Sequence, residues 1–341
     1  MDSIVDIAKK AHVSKSTVGR VLSGVRYGVS DKTREKVLAV VKEYNFVKSR
    51  TATAMRTKKS LTVLLVVPDI TNPFWAEVAR GAQNVFDQAG YSVFLGNSDW
   101  QKEREITYIQ LAKENKVDAI MINAPELDPA EAFRGLDCPV VLLGDTEADG
   151  IYKKVGTNAA KAVTTALEYL LAKGHSDIGF VSPLRTDIEG INRNKRYIAY
   201  KRFMKKHGLP LRDDRHFNLQ LSFESGVKLA RHFVQMKDKP SAIVTGNDSV
   251  AIGFINEAVK LGVNVPGDVS IIGLDDIEMS AMVNPAITTV AKPKKKIGEY
   301  GARMVLDMLA GEKKVKSRFL KPVLIERESV AAFSGRPYES R

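Results

Sequence analysis

From Leu61 onward the chain repeats one pattern: an apolar, β-branched run, then a stretch at helical spacing, then another apolar run. LTVLLVVP opens the series, and YSVFLG, DAIMIN, VVLLG at 140–144, IGFVS, a short segment near 217–219, AIVTG and VSIIGL continue it. The stretches between them predict helices over about 73–89, 103–115, 159–173, 198–207, 223–236 and 249–261. A continuous run such as LTVLLVVP suits a strand buried on both faces. Strand–helix alternation at this spacing dictates right-handed crossovers and parallel sheets. Roughly ten strands are too many for one ordinary open sheet, so the break near 145–158 divides them into two doubly wound halves. Ligands bind such sheets beyond the strand carboxyl ends, which makes a cleft between two facing halves the expected site.

The first sixty residues differ in character. They carry fourteen Lys and Arg against five Asp and Glu, nine of the twelve net positive charges of the 341-residue chain. A basic head on a nearly neutral body asks for a polyanionic partner. SIVDIAKKAHVSKSTVGRVL, residues 3–22, reads as two short helices with a turn at 12–13. Ile4, Val5, Ile7, Ala8 and Ala11 give the first an apolar face. Ser14 is placed to cap the second, in which Val18, Val21 and Leu22 face inward while Lys15, Ser16, Thr17 and Arg20 point away. Hydroxyls and amines reach base edges in a major groove, and Arg bonds guanine through two parallel donors. The pattern fits a helix-turn-helix whose second helix reads DNA; two ordinary amphipathic surface helices are the alternative. Ser30 then caps a third helix, in which Val37, Leu38, Val41 and Tyr44 supply the packing face. VKSRTATAMRTKKS has too little apolar surface to fold alone and reads as a hinge that orders on a partner, or as a plain basic linker.

Composition narrows the remaining classes. Hydrophobic content of 44% and charged content of 27% describe an ordinary globular protein. The single cysteine, Cys138, excludes an internal disulfide and a cysteine-rich metal site; before Pro139 and an apolar run, it reads as a buried structural thiol. No signal-peptide pattern opens the chain and no run of 18 apolar residues occurs, so a cytosolic protein without a membrane partner is expected. G-x-G-x-x-G after the first strand, a P-loop and G-x-S-x-G are all absent, and the five histidines form no metal spacing. His175 in GHSDIGF reads as structural. The expectation is a non-enzyme without cofactor or metal. A sugar-binding receptor without DNA function would explain the body alone, but not the basic head.

Six blocks, in order, carry a resemblance: DIAKKAHVSKSTVGRVLSG, VSDKTREKVLAVVKEYNF, VPDITNPFWAEVARG, GHSDIGFVS, TGNDSVAIGFINEAVKLGVNVPGDVSIIGLDD and NPAITTVAKP. With them the chain resembles a LacI/GalR-type transcriptional regulator from Ser3 to about Ala332. The resemblance implies an α-helical head, a three-helix helix-turn-helix over 1–47 with a hinge helix over 48–60. It implies an α/β periplasmic-binding-protein-like body of two doubly wound parallel-sheet subdomains joined by three crossovers. The subdomains would be 61–158 with 289–320, and 159–288 with 321–341. The implied function is a repressor of carbohydrate-utilisation genes. It would bind near-palindromic double-stranded operator DNA as a homodimer, under control of a small carbohydrate effector in the cleft.

The same resemblance assigns residues. Lys15, Ser16 and Arg20 match base-reading positions; Ser14, Thr17 and Ser49 fit phosphate-positioning roles. Met55 falls where the family carries a leucine wedge for the minor groove, and Arg56 follows it. Two departures stand out: His12 replaces the usual glycine at a positive-φ turn, and Gly19 replaces a serine inside a helix. In the cleft, Phe74 and Trp75 offer flat faces to a sugar, with at least one of them expected to be core. Asp145, Arg196, Asn247 and Asp275 match effector-binding positions, with Asp276 the runner-up for the role of Asp275 and Ala199 replacing the glycine of the Arg196 motif. Arg185 and Arg193 lie nearby in sequence and lean the effector towards an acidic sugar or sugar phosphate, unless they are solvated surface charges.

Overall fold

The structure, a computed structural model, describes residues 3–25, 27–46, 59–124, 127–145, 151–184 and 194–333. It separates into Met1–Ser60 and Leu61–Arg341. The hinge assignments at Ser49, Met55 and Arg56, and those at Arg185 and Arg193, lie outside the described residues.

The head consists of α1 (Ile4–Lys10), α2 (Lys15–Leu22) and α3 (Asp31–Glu43). Each begins at a serine that satisfies free first-turn amides. Ser3 and Asp6 form a reciprocal capping box; Ser14 Oγ accepts from Thr17 N at 3.1 Å, and Ser30 Oγ from Thr33 N at 3.3 Å. Ile7, Ala8, Ala11, Val18, Val21 and Val37 form the core. Three expected packing residues are exposed instead: Val5, Leu38 and Tyr44. Val40 joins Val37 and Val41 on the inward face of α3, on the flank opposite Leu38. The Tyr44 ring instead lies 3.0 Å below Lys10 Nζ, a cation–π contact.

The body holds two six-stranded sheets. The first half comprises β1 (Thr62–Val67), α4 (Pro73–Gln88), β2 (Ser92–Asn97), α5 (Lys102–Glu114), β3 (Ala119–Ile122), α6 (Pro129–Ala132), β4 (Val140–Leu143) and β5 (Lys153–Thr157). The second comprises α7 (Ala159–Ala172), β6 (Ile178–Pro183), α8 (Lys195–Lys206), β7 (His216–Leu219), α9 (Phe223–Gln235), β8 (Ala242–Val244), α10 (Asp248–Lys260), β9 (Ser270–Asp275) and β10 (Thr288–Ala291). The chain then returns to the first half with α11 (Lys294–Leu309) and β11 (Arg318–Leu320), and ends the second with β12 (Val323–Ile325). The orders are β11-β5-β4-β3-β1-β2 and β12-β10-β9-β8-β6-β7, parallel throughout except where β12 runs against β10.

Two sequence expectations need correction. The expected break at 145–158 contains β5, whose sequence KKVGT is too charged at its start to read as a buried strand. The return to the first half is expected at 289, but Thr288 and Thr289 pair with Ile272 and Gly273 of the second sheet, so the crossing falls after Ala291.

Because successive strand residues face opposite sides, each sheet is covered twice. Val63, Leu65 and Val67 pack under α4 and α11, while Leu64 and Val66 meet α5. In the second half Ile178 and Phe180 pack under α7 and α8, and Ile243 and Ile271 under α9 and α10. Each half contains one helix pair in glycine-to-backbone contact. A β-carbon on Gly81 would overlap the carbonyl of Lys295, and one on Gly298 that of Val78. A β-carbon on Gly226 would overlap the carbonyl of Val250, and one on Gly253 that of Phe223.

Candidate nucleic-acid interface and effector cleft

On α2 the burial alternates as DNA reading requires. Val18 and Val21 are buried, whereas Ser14, Lys15, Ser16 and Arg20 are exposed and Thr17 is half-buried. Ser14 Oγ also lies 2.7 Å from Ser16 Oγ and 2.9 Å from Thr17 Oγ1, so three hydroxyls gather at the helix N-terminus. No acidic residue stands in the first turn, which leaves the positive end of the helix dipole open to an anion. His12 adopts φ 52°, the left-handed turn expected there, and its amide donates to Lys9 O at 3.1 Å. Gly19 has nothing within 4 Å of where a β-carbon would stand.

In the body, the functional candidates sit where parallel strands end. Pro68 follows β1, Ser98 follows β2, Asn123 follows β3 and Asp145 lies just past β4; from the second sheet come Gln220 after β7, Asn247 after β8, Asp275 at the end of β9 and Lys292 after β10. The two sets of ends face one another. Lys195 Nζ, from the second half, donates to Asp145 Oδ1 at 2.9 Å, and Lys292 Nζ stands 5.5 Å from the Phe74 ring centroid.

Each expected effector residue has a defined place. Asn72 and Pro73 start α4, Asn72 Oδ1 accepting from Phe74 N at 3.0 Å. Phe74 and Trp75 pack edge to face at 5.0 Å within the first-half core; of the two rings, Phe74 is the one beneath Lys292. Asp145 Oδ2 accepts from Ala159 N at 3.1 Å. Arg196 Nη1 donates to Gly246 O at 2.9 Å. Asn247 caps α10 by accepting from Val250 N at 3.0 Å, and donates to Leu221 O at 3.0 Å. Asp275, left-handed at φ 116°, pairs with Lys292 Nζ at 2.7 Å, both side chains 7% exposed. Asp276 is bound instead to Arg327 Nη2 at 2.7 Å.

Sequence reasoning missed three participants. Lys292 reads as the first member of a solvated K-P-K-K-K run, yet it is buried; burial pushes its ammonium pKa down while Asp275 pulls it back up. Asp248 is fully buried against Gly273, accepting from Thr289 Oγ1 at 2.6 Å and Ile277 N at 2.8 Å. Burial, then the Asp275 charge, push its pKa up to about 8. Asn123 donates to Leu143 O at 2.6 Å, and its buried Oδ1 has no hydrogen-bond partner; an asparagine closing the run DAIMIN was the available signal. Cys138 is half-buried, its thiol pKa pushed up by burial to about 11, which suits a structural role. Among the described residues no cluster of three or more His, Cys, Asp and Glu could hold a metal, and no helix is long and apolar enough to cross a membrane.

Between the halves lies a pocket of about 390 Å³. Asp69, Thr71 and Trp100 line it from the first half, Ser222, Glu224 and Lys228 from the second.

A capped, basic reading helix and a two-sheet cleft define the class: a regulator with a helix-turn-helix head and a periplasmic-binding-protein-like body. Residues 3–49 match the lacI family of bacterial regulatory proteins, and residues 167–330 the periplasmic binding protein-like domain. Catabolite control protein A of Priestia megaterium is 33% identical over 305 residues, 89% of this chain and 91% of that protein. The transcriptional repressor PurR of Photobacterium profundum is 28% identical over 334 residues, 97% of this chain and 99% of that protein. The crystal structure of the Lac repressor dimer bound to operator and the anti-inducer ONPF shares the fold, with a TM-score of 0.85 at 22% identity, over 97% of this chain and 99% of that one. The chain belongs to the LacI family. It is a DNA-binding transcriptional regulator and not an enzyme.

Proposed function

We propose that the chain is a repressor of carbohydrate-utilisation genes that binds a near-palindromic operator as a homodimer in the cytoplasm. A small effector, a sugar or sugar acid, binds in the cleft between the halves. The observation that carries this reading is α2, a serine-capped helix with buried Val18 and Val21 and an exposed face of Lys15, Ser16 and Arg20. In this reading Lys15, Ser16 and Arg20 touch bases, while Ser14, Thr17 and Ser49 hold phosphates. Met55 wedges the minor groove beside Arg56. Phe74, Trp75, Asp145, Arg196, Asn247 and Asp275 surround the effector. An effector that binds one arrangement of the halves better than another shifts the DNA-competent population by that difference alone.

The test is fluorescence anisotropy with DNA from upstream of the coding region, or sites won by random selection, with and without a panel of sugars, sugar acids and sugar phosphates. Release of DNA by one compound is the expected outcome; tightening would make it a co-repressor, and no response to any of them would overturn effector control. Arg20→Ala should weaken operator binding by about 1–3 kcal/mol and relax preference at one base pair. An equal loss on every sequence would make Arg20 a phosphate contact.

A further inference from the structure

The positive charge of the body is concentrated in one place. Residues 61–341 carry 38 Lys and Arg against 35 Asp and Glu, whereas residues 311–321, GEKKVKSRFLK, carry five against one. Outside that segment the body is slightly net negative. A local cationic excess on such a surface attracts a polyanion and holds it at one spot.

The segment is the turn after α11 together with β11. Lys313, Lys314, Lys316 and Arg318 are all exposed, and among the described residues none of the four is paired with a carboxylate. Glu312, the one acidic neighbour, accepts from the backbone amide of Lys314 at 2.8 Å. Arg318 holds its guanidinium 3.6 Å from the Tyr300 ring centroid, a cation–π contact that restricts the side chain and leaves its in-plane N–H groups able to donate. The Lys154 amide of β5 donates to Ser317 Oγ at 3.0 Å, which ties the turn to the neighbouring strand.

β11 runs parallel to β5, and β5, β4, β3 and β1 run parallel in turn. The turn at 311–317 therefore lies at the strand amino end of the first sheet, opposite the carboxyl ends that carry the effector candidates. Leu61, through which the head is joined, enters β1 at that same amino end. Four strand spacings separate β11 from β1, about 19 Å. The linker of residues 47–60 spans at most about 50 Å when fully extended, so a duplex held by the head stays within reach of this end of the body. An acidic protein would match the charge equally, but the head already tethers a polyanion here.

We propose that this turn and the start of β11 form a second DNA-binding surface, which takes backbone phosphates of the duplex flanking the operator. Lys313, Lys314 and Lys316 act there as point charges, and Arg318 grips one phosphate through two donors. Contacts of this kind add affinity without reading sequence. The inference rests on DNA binding by the head and on no assignment in the effector cleft.

The test is fluorescence anisotropy of the full chain on two duplexes carrying one operator won by random-site selection. The short duplex ends at the operator, and the long one adds about 20 base pairs on each side. The unaltered chain should bind the long duplex about fivefold or more tightly, with a salt slope steeper by about one for each phosphate held. Lys313→Gln, Lys314→Gln and Lys316→Gln together should remove most of that difference and leave the short duplex within about twofold. Arg202→Gln, Lys205→Gln and Lys206→Gln together, the same charge change on α8 of the second half, should leave both affinities in place. Equal binding of the two duplexes by the unaltered chain overturns the proposal, as does equal weakening by the two triple variants. A lysine variant that keeps its full affinity for the long duplex overturns it too, and leaves the patch to an acidic protein. Weakening of the short duplex as much as the long is equally fatal, because the lysines would then act through the head or the fold. If the unaltered chain binds neither duplex, the head assignment itself fails, and this proposal with it.

Discussion

The two halves of the body use one packing device in two chain contexts. In each, a pair of helices crosses with a glycine of either helix against the other's backbone, Gly81 with Gly298 in the first and Gly226 with Gly253 in the second. In the second half the paired helices, α9 and α10, are separated only by β8 and its loops. In the first, α4 must wait for α11, which arrives after all of the second half except β12. The same contact is thus local in one half and long-range in the other. Closing a long loop costs more entropy than closing a short one, though only logarithmically with length. The first half therefore leans on the quality of the crossing itself, whereas the second can nucleate from neighbouring segments.

The largest expected effect comes from filling that crossing. Gly298→Ala places a methyl onto the Val78 carbonyl and beside Ala82 N, which should destabilise by about 3 kcal/mol or more. Hydrogen exchange should show lost protection in β1 with β8 largely unchanged. Gly253→Ala should do the reverse. If either variant strips protection from both halves equally, the halves unfold as one and the contrast drawn here is wrong.

A smaller effect separates the halves by pH. Asp248 belongs to the second half, and burial raises its pKa to about 8. A carboxyl whose folded pKa lies above its unfolded one adds stability that is fully present below about pH 4 and is lost as pH rises through about 8. The loss is on the order of 1.4 kcal/mol per pH unit while it lasts. Asp248→Asn should cost about 1 kcal/mol in acid, from a weakened hydrogen bond, and match or exceed the original protein above pH 8. Urea midpoints across pH 3–9 would show the crossing on the acid side, within about one pH unit above 4, and parallel curves would mean that Asp248 is ionised throughout.

The smallest effect uses a glycine that no neighbour requires. Gly19 sits inside α2 with open space around it, so Gly19→Ala should stabilise the head by about 0.5–1 kcal/mol. Thermal melting of the full chain, followed by a signal from the head, would detect it; a loss of stability would reveal a steric demand on α2.

These contrasts also explain what could be read from the amino acids alone. The buried strands and their helices were legible because LTVLLVVP or VSIIGL fits no other surroundings, and α2 because cap, core and outward face fall within nine residues. β5 was not legible: its first two residues are lysines, and only its last three are buried. Leu38 and Val40 flank Val37 and Val41 on opposite sides of α3, about 160° apart, and composition does not decide which flank is covered. The strand-end positions of Asp145, Asn247 and Asp275 followed from the alternation. Their partners did not, because Lys195 and Lys292 lie 50 and 17 residues away in sequence from the carboxylates that hold them. Lys292 was hidden by its neighbours Lys294, Lys295 and Lys296, which make it look like part of a surface run.

The late arrival of α11 has a consequence for biosynthesis. More than two hundred residues separate the end of α4 from the start of α11, which at ordinary ribosomal speeds amounts to roughly ten to forty seconds. For that interval the glycine face of α4 and the faces of β3, β4 and β5 that α11 covers have no permanent cover, while the DNA-reading head has already emerged complete. A nascent chain in this state can present a finished recognition helix to nucleic acid before the half of the sensor nearest to it in sequence can fold. Chaperones would find their binding surface on α4, and the translation of α11 would decide when it is withdrawn.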